Sequence, residues 1–277
     1  MMNARALSDK ARALSKELGV TPHFIMNHYF FDAVLKRIAI SDYNDMLVLK
    51  GGYLLSIRLG ILTRTTNDLD FSISNMELDW KKIQIIMENI LKTKMNDLVM
   101  FELKNVFPIK DGNGVRFNIQ ARLENIRQSI HIDIASNDPI TPSVVINKYK
   151  TIINHEVIAL HTYPYETILA EKLQTVVFLG TASSRSKDLY DLFIIAQIFD
   201  DFLDKQDSIL AIQSTFGFRN TNYSPNYILG ELNEIKTSSI QETLWKNYMK
   251  KHYFTKGMEF HDVIDKITHF INQLFDM

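Results

Sequence analysis

Two stretches in which apolar and polar residues alternate strictly constrain the fold of this chain more than any other feature. In residues 115–123 the apolar positions alternate with polar ones that include Arg116 and Arg122, and in residues 129–135 three isoleucines occupy every second position. Because successive side chains of a strand point to opposite faces, both stretches predict strands that are buried on one face. The run Asp111-Gly112-Asn113-Gly114, just before the first stretch, predicts a hairpin turn after an extended segment at 99–107.

The polar positions of these strands are chemically unusual. In the second stretch His131, Asp133 and Ala135 share the face opposite the isoleucines. A carboxylate in so apolar a strand is costly to desolvate unless it is paired, hydrogen-bonded or bound to a metal. The sequence leaves open a structural arginine partner or a place in an acidic cluster, and a solvated or polyanion-facing role for Arg116 and Arg122.

A second group of candidate site residues lies between residues 49 and 73. The pair Gly51-Gly52 opens an apolar helical stretch, where backbone amides can face an anion. Asp68 and Asp70 then flank a leucine at the start of an extended segment and so point the same way. Two carboxylates near a glycine turn suit a divalent cation that carries a nucleoside triphosphate, although each feature alone is often only a turn or a cap. Asp133 is then interpreted as a third carboxylate of the same cluster.

Size and composition limit the remaining possibilities. A chain of 277 residues with 46% hydrophobic residues predicts two domains, placed at 1–150 and 151–277, or one large domain with an appended bundle. The absence of cysteine excludes disulfides and thiolate sites and fits a cytoplasmic protein. No apolar run is long enough for a membrane span, and a net charge of -1 gives no global attraction to nucleic acid.

The rest of the chain is predicted to be mainly helical. Helices are expected at 3–18, after the cap Thr21, and at 76–91, whereas residues 136–165, with three of the six prolines, are interpreted as a crossing between domains. After Pro164 the pattern is wholly helical, and Asp188 and Asp191 fall on one side of a helix. The basic and aromatic segment 245–253 either binds RNA or is a helix with its aromatic residues inward, and the second interpretation is favoured.

With these residues in view, the sequence resembles the AbiEii/AbiGii family of abortive-infection toxins, which are related to the DNA polymerase β superfamily of nucleotidyltransferases. The resemblance spans roughly residues 18–202, and four segments carry it: Val48-Leu49-Lys50-Gly51-Gly52; Thr63-Arg64-Thr65-Thr66-Asn67-Asp68-Leu69-Asp70-Phe71; His131-Ile132-Asp133-Ile134; and Tyr163-Pro164-Tyr165-Glu166-Thr167 with Ala170-Glu171-Lys172-Leu173 and Ser184-Arg185-Ser186-Lys187-Asp188-Leu189-Tyr190-Asp191-Leu192. Many members of the superfamily carry Gly-Ser where this chain has Gly51-Gly52, so the serine hydroxyl is missing here.

The resemblance implies an α+β fold, with a polymerase β-like nucleotidyltransferase domain (a mixed sheet flanked by helices) followed by a C-terminal helical bundle. It implies Mg²⁺ held by Asp68, Asp70 and Asp133, with Lys172 as a fourth catalytic residue that neutralises phosphate charge. The expected nucleotide-binding residues are Lys50, Gly51, Gly52, Arg64, Thr66, Arg185, Lys187, Asp188 and Asp191.

The implied reaction joins a nucleotide monophosphate from an NTP to an acceptor, an RNA such as tRNA, and releases pyrophosphate. The resemblance also implies a type IV toxin–antitoxin system that blocks growth or phage propagation, with a winged-helix antitoxin as partner. Three alternatives stay open: transfer to a small molecule or a protein, NTP binding without catalysis, and a structural protein whose acids are salt-bridged.

Overall fold

The computed structural model describes residues 1–60, 62–66, 68–73, 79–109, 114–136 and 138–277, which form two compact units. The first comprises Met1–Asn137 and Val145–Thr162, and the second comprises Asp138–Val144 and Tyr163–Met277. The domain bounds 1–150 and 151–277 stay a prediction. In the described ranges, no helix has the length and apolar character that a bilayer crossing requires.

A seven-stranded mixed sheet, counted over the described residues, is the centre of the first unit. Its spatial order is β3-β4-β5-β2-β1-β7-β6. The β2–β5 and β1–β7 pairs are parallel and the other neighbours are antiparallel. The strands are β1 Leu47–Lys50, β2 Asp68–Ile73, β3 Val99–Pro108, β4 Gly114–Leu123, β5 Ile126–Ser136, β6 Val145–Lys150 and β7 Val157–Thr162.

Within the described residues this unit has four helices, α1 Ala4–Leu18, α2 Pro22–Ala39, α3 Gly51–Leu59 and α4 Trp80–Lys92. Three of them, α1, α2 and α4, start at a capping side chain. The hydroxyl of Thr21 accepts a hydrogen bond from the amide of Phe24 at 3.2 Å, so the cap predicted there is confirmed. The carboxylate of Asp79 caps α4 in the same way. The helix predicted at 76–91 corresponds to α4, and its predicted first residues, 76–78, lie outside the described ranges.

The alternating stretches form the strands that the sequence predicts, and β3, β4 and β5 pair as consecutive antiparallel neighbours. The inward side chains, which include Ile130, Ile132 and Ile134, are fully buried, and α2 and α4 contact the sheet. Residues 111–113 of the predicted hairpin turn lie outside the described residues. The opposite face of the same strands carries the polar residues, and it is this face that holds the candidate site.

The chain does pass between the two units within residues 136–165, as the interpretation of this segment as a crossing requires, but that interpretation missed two strands. The segment contains β6 and β7, and β7 joins the sheet beside β1, with Leu49 opposite Thr162. Pairing between β1 and β7 links residues that are more than a hundred positions apart, so no local pattern indicates it.

The second unit is helical, which confirms the predicted C-terminal helical region. Its helices are α5 Tyr165–Leu179, α6 Ser186–Phe202, α7 Lys205–Phe218, α8 Pro225–Thr237, α9 Ser239–Lys251 and α10 Phe260–Phe275. In α9 the indole of Trp245 is fully buried and donates to the carbonyl of Met258 at 2.8 Å. This agrees for Trp245 with the interpretation of the basic and aromatic segment as a helix that turns aromatic residues inward, whereas Tyr253, beyond the end of α9, is 47% exposed.

Candidate functional site

The glycine turn between β1 and α3 lies directly against a carboxylate of β2. Gly51 has φ +70°, a backbone conformation that is strained for any residue with a side chain. A Cβ built on Gly51 would lie 2.1 Å from the Oδ2 atom of Asp70. Both facts require glycine at this position. The first turn of α3 therefore approaches Asp70 more closely than any other residue type would permit.

Gly52 is required for a different reason. A Cβ at this position would lie 1.5 Å from the Nη1 atom of Arg64, whose side chain is buried. The guanidinium thus occupies the place of a residue-52 side chain. A serine side chain at position 52 would therefore overlap with the buried Arg64, which accounts for the glycine at this position.

Strand register brings the predicted acidic residues onto one face. Asp133 of β5 lies opposite Asp70 of β2, and Asp70 lies opposite Lys50 of β1. In the next row Asp68 lies opposite His131. Because neighbouring strands are about 4.8 Å apart, the carboxylates of Asp68 and Asp70 on β2 and of Asp133 on β5 project close to one another from the same face.

Arg116 of β4 completes the first row and pairs with Asp133. Its Nε and Nη2 atoms donate to the two carboxylate oxygens of Asp133 at 2.7 and 2.6 Å. The hydrogen bonds to Asp133 raise the pKa of the guanidinium further, and the negative charges of Asp68 and Asp70 add to this effect. The arginine partner that the sequence left open for Asp133 is therefore present.

The carboxylates are near one another without forming a closed metal cage. Over the described residues, no group of three or more His, Asp and Glu side chains is arranged to hold a metal ion. Asp133 is turned towards Arg116, and the assignment of Mg²⁺ to these residues stays a prediction. Thr66 lies at the entrance of β2, where its hydroxyl is 3.4 Å from the amide nitrogen of Asp68, which donates to it.

The remaining predicted residues lie in the second unit, around Lys172 of α5. Its ammonium contacts the carboxylates of Asp188 and Asp191 of α6 at 2.6 and 2.8 Å, and both acids are almost fully buried. Arg185 contacts Asp188 at 2.5 Å, and Lys187 is exposed in the first turn of α6. Burial alone would raise the pKa of Asp188, but the charges of Lys172 and Arg185 more than offset it and lower that pKa.

Sequence reasoning missed two sets of residues near these groups. On α2 the buried Asp32 accepts hydrogen bonds from Tyr149 at 2.6 Å and from Tyr53, the residue after the glycine pair, at 3.2 Å. An acid within an apolar helical run was the available signal. In the second unit the buried amide of Gln241 donates to the carbonyls of Thr181 and Ser183 and thereby holds the loop before Arg185, for which no sequence signal exists.

The mixed sheet followed by a helical unit is an α+β fold that solved nucleotidyltransferase-like structures share. A crystal structure from H. pylori, described as that of a candidate nucleotidyltransferase, shares the fold with a TM-score of 0.52 at 15% identity, over 93% of this chain and 96% of the other. The structure of JHP933 from Helicobacter pylori matches at 16% identity with a TM-score of 0.49, over 91% of this chain and 92% of the other.

The family follows from the sequence itself. Residues 33–266 match the family described as nucleotidyl transferase AbiEii toxin of type IV toxin–antitoxin systems, and the chain belongs to that family. A comparison with curated proteins gives no significant match. The resemblance drawn from the four segments is thereby confirmed, together with the α+β fold class.

Proposed function

We propose that this toxin-family nucleotidyltransferase uses Mg²⁺ to transfer a nucleotide monophosphate from an NTP to an RNA acceptor such as tRNA, with release of pyrophosphate. The observation that carries the proposal is the row of Lys50, Asp70 and Asp133 on adjacent strands, with Gly51 packed against Asp70. Modification of an RNA needed for translation would block growth or phage propagation.

The donor set fits a divalent cation in part. Asp68 and Asp70 offer carboxylate oxygens on one face of β2, and hard cations prefer such ligands. When bound, Mg²⁺ would neutralise phosphate charge and polarise the reacting phosphorus. Asp133 fits as a third ligand only when its carboxylate leaves Arg116, because both of its oxygens accept hydrogen bonds there.

The glycine turn is the proposed phosphate site. The side-chain places of Gly51 and Gly52 are filled by Asp70 and Arg64, so the turn would attract an anion through the N-terminus of α3, which favours negative charge, rather than through open space. Lys50 precedes this turn and Arg64 packs on it, so both are placed to add positive charge. Thr66 helps to set the start of β2 and hence the position of Asp68.

In the transfer step the acceptor hydroxyl oxygen forms a bond to the α-phosphorus, and the bond from that phosphorus to the bridging oxygen breaks. The electron pair of the broken bond leaves with pyrophosphate. The proton of the hydroxyl passes to the carboxylate of Asp133, which acts as general base. Arg116 orients Asp133 through its two hydrogen bonds before this step.

For the cluster in the second unit we propose nucleotide contacts on the strength of its own geometry. Lys172 would neutralise charge that develops on the phosphates, while Asp188 and Asp191 orient its ammonium. Arg185 and Lys187, at the start of α6, are proposed phosphate contacts. By family, the partner would be an antitoxin with a winged-helix domain, and the place of action the cytoplasm.

The proposal is tested by incubating the chain with Mg²⁺, total RNA and each of the four radiolabelled triphosphates in turn. We expect label on RNA, and a loss of about a hundredfold or more in Asp68→Asn. The matched control is Asp9→Asn, which changes an exposed carboxylate of α1. Label on a metabolite or a protein would refute RNA as the acceptor. Full transfer activity in Asp68→Asn would refute the proposed metal-binding role of Asp68.

A further inference from the structure

A cavity of about 650 Å³ opens beside Asp68 on the polar face of the sheet. Its apolar wall is formed by Phe107, with Pro108 and Ile109, and its polar wall includes Asn118 and His131. Ligand pockets in proteins span about 300–1,000 Å³, so the cavity can hold a nucleoside. Asp68 and Arg116, which also line the cavity, belong to the proposed transfer chemistry, whereas Phe107, Asn118 and His131 have no role in it.

The place of the cavity in the sheet indicates which reactant it suits. The glycine turn follows β1, on one side of the acidic strands β2 and β5, whereas the cavity is built mainly on β3 and β4, on the other side. If the NTP phosphates take the glycine turn, the cavity is left for the group that attacks them. This step rests on the proposed function.

The lining offers an aromatic ring and two polar side chains, which are groups that can contact a nucleoside. Phe107 is 47% exposed although it is a large aromatic residue, and it offers a flat surface on which a base can stack. The imidazole Nδ1 of His131 and the amide oxygen of Asn118 are 2.8 Å apart, so the two polar groups are held in fixed positions. Their other polar atoms can bond the edge of a base or a sugar hydroxyl.

The same face continues away from the acids and becomes cationic. Arg122 of β4 and Arg127 of β5 are direct cross-strand partners, and both are exposed. Like charges placed directly opposite one another destabilise a sheet unless an anion lies between them. Arg122 is six residues from Arg116, about 20 Å along the strand, which is the length of a few nucleotides rather than of a small molecule.

We propose that the polar face of β3, β4 and β5 binds the end of a single-stranded RNA. The terminal nucleoside, whose hydroxyl is the acceptor, enters the cavity and stacks on Phe107. The backbone that follows runs towards Arg122 and Arg127. Glu102, an acid on this face, is paired with Lys104 at 2.5 Å, so its charge is offset.

The test measures binding of a fluorescent single-stranded oligoribonucleotide to the full chain by anisotropy, without NTP. Phe107→Leu keeps an apolar side chain but removes the stack, and we expect binding about tenfold weaker. Arg127→Gln should weaken binding severalfold and lower the slope of log K against log salt by about 0.7. Arg12→Gln, an exposed arginine of α1, is the matched control and should bind like the wild type.

Wild-type affinity in both Phe107→Leu and Arg127→Gln would overturn the inference, as would equal affinity for a duplex of the same length. The result is separable from the proposed transfer because binding is measured without NTP. A wild-type chain that binds RNA but transfers nothing refutes the proposed function and leaves this surface standing. Transfer to RNA with an unchanged KM for RNA in both variants supports the function and refutes the surface.

Discussion

Replacing Asp32 by Asn should change how the stability of the first unit depends on pH. The carboxyl group is 4% exposed and accepts hydrogen bonds from the hydroxyls of Tyr149 and Tyr53. Burial raises its pKa from 3.8 to about 7, although the hydrogen bonds from the two tyrosines act in the opposite direction. The native state therefore keeps a proton at a pH where the unfolded chain has lost it.

The size and sign of the effect follow from this shift. Each pKa unit corresponds to 1.36 kcal/mol, so the shift is equivalent to up to about 4 kcal/mol of unfolding free energy. Because the pKa is raised in the folded state, this contribution is fully present below pH about 4. It is lost as the pH rises through about 7.

His28, on the same helix, acts in the opposite sense. Burial lowers its pKa from 6.5 to about 4, so its contribution is present above pH about 6.5 and is lost as the pH falls through about 4. The two effects partly cancel in the wild type at intermediate pH. Removing the carboxyl group of Asp32 exposes the contribution of His28.

The assay is urea unfolding followed by circular dichroism at several pH values between 4.5 and 7.5. We expect the stability of Asp32→Asn, relative to the wild type, to rise by about 3 kcal/mol over this range. Asp9→Asn is the control, because that carboxylate is exposed and its curve should run parallel to that of the wild type. Parallel curves for Asp32→Asn as well would refute the reasoning.

Two further substitutions test the packing of the site. If helix propensity decided the outcome, Gly52→Ala would raise the free energy of unfolding by about 1 kcal/mol. Because the new methyl group overlaps with Arg64, we expect it instead to lower that free energy by about 1–3 kcal/mol. In an Arg64→Ala background that cost should largely vanish, and equal costs in the two backgrounds would contradict the overlap. Lys172→Met should lower the unfolding free energy by about 3–5 kcal/mol in urea unfolding, because Asp188 and Asp191 lose their shared cation in a buried place. A change in unfolding free energy below about 1 kcal/mol would contradict this reasoning, because it would mean that other groups balance the charges of Asp188 and Asp191.

The pairing of β4 with β5, which places Arg116 opposite Asp133, could be derived from the sequence. Alternation assigned Asp133 to the polar face, and only Glu124 and Asn125 separate β4 from β5. So short a turn fixes the register of the two strands and places Arg116 opposite Asp133. The pair was therefore within reach of sequence reasoning, since it depends on local geometry alone.

Long-range pairing explains what the sequence could not supply. The edge strand β6 exposes most of its residues, including Ile146 at 65%, so it lacks the alternation that identifies β4. The parallel neighbours of β1 and β2 come from distant segments, and no local signal indicates which strands will meet. Similarly, the spacing of Asp188 and Asp191 placed them on one side of α6, but their contact with Lys172 depends on how α5 and α6 pack.

The charges of the first unit argue that phosphates and metal enter the proposed site together. Among the described residues of the site, the cations are as many as the carboxylates: Lys50, Arg64 and Arg116 against Asp68, Asp70 and Asp133. A divalent cation alone would be attracted by the carboxylates but repelled by the nearby cations. A triphosphate alone would be repelled by all three carboxylates. Arriving together they offset each other, and the altered field would weaken the hold of Arg116 on Asp133 at the moment when that carboxylate is needed as a base.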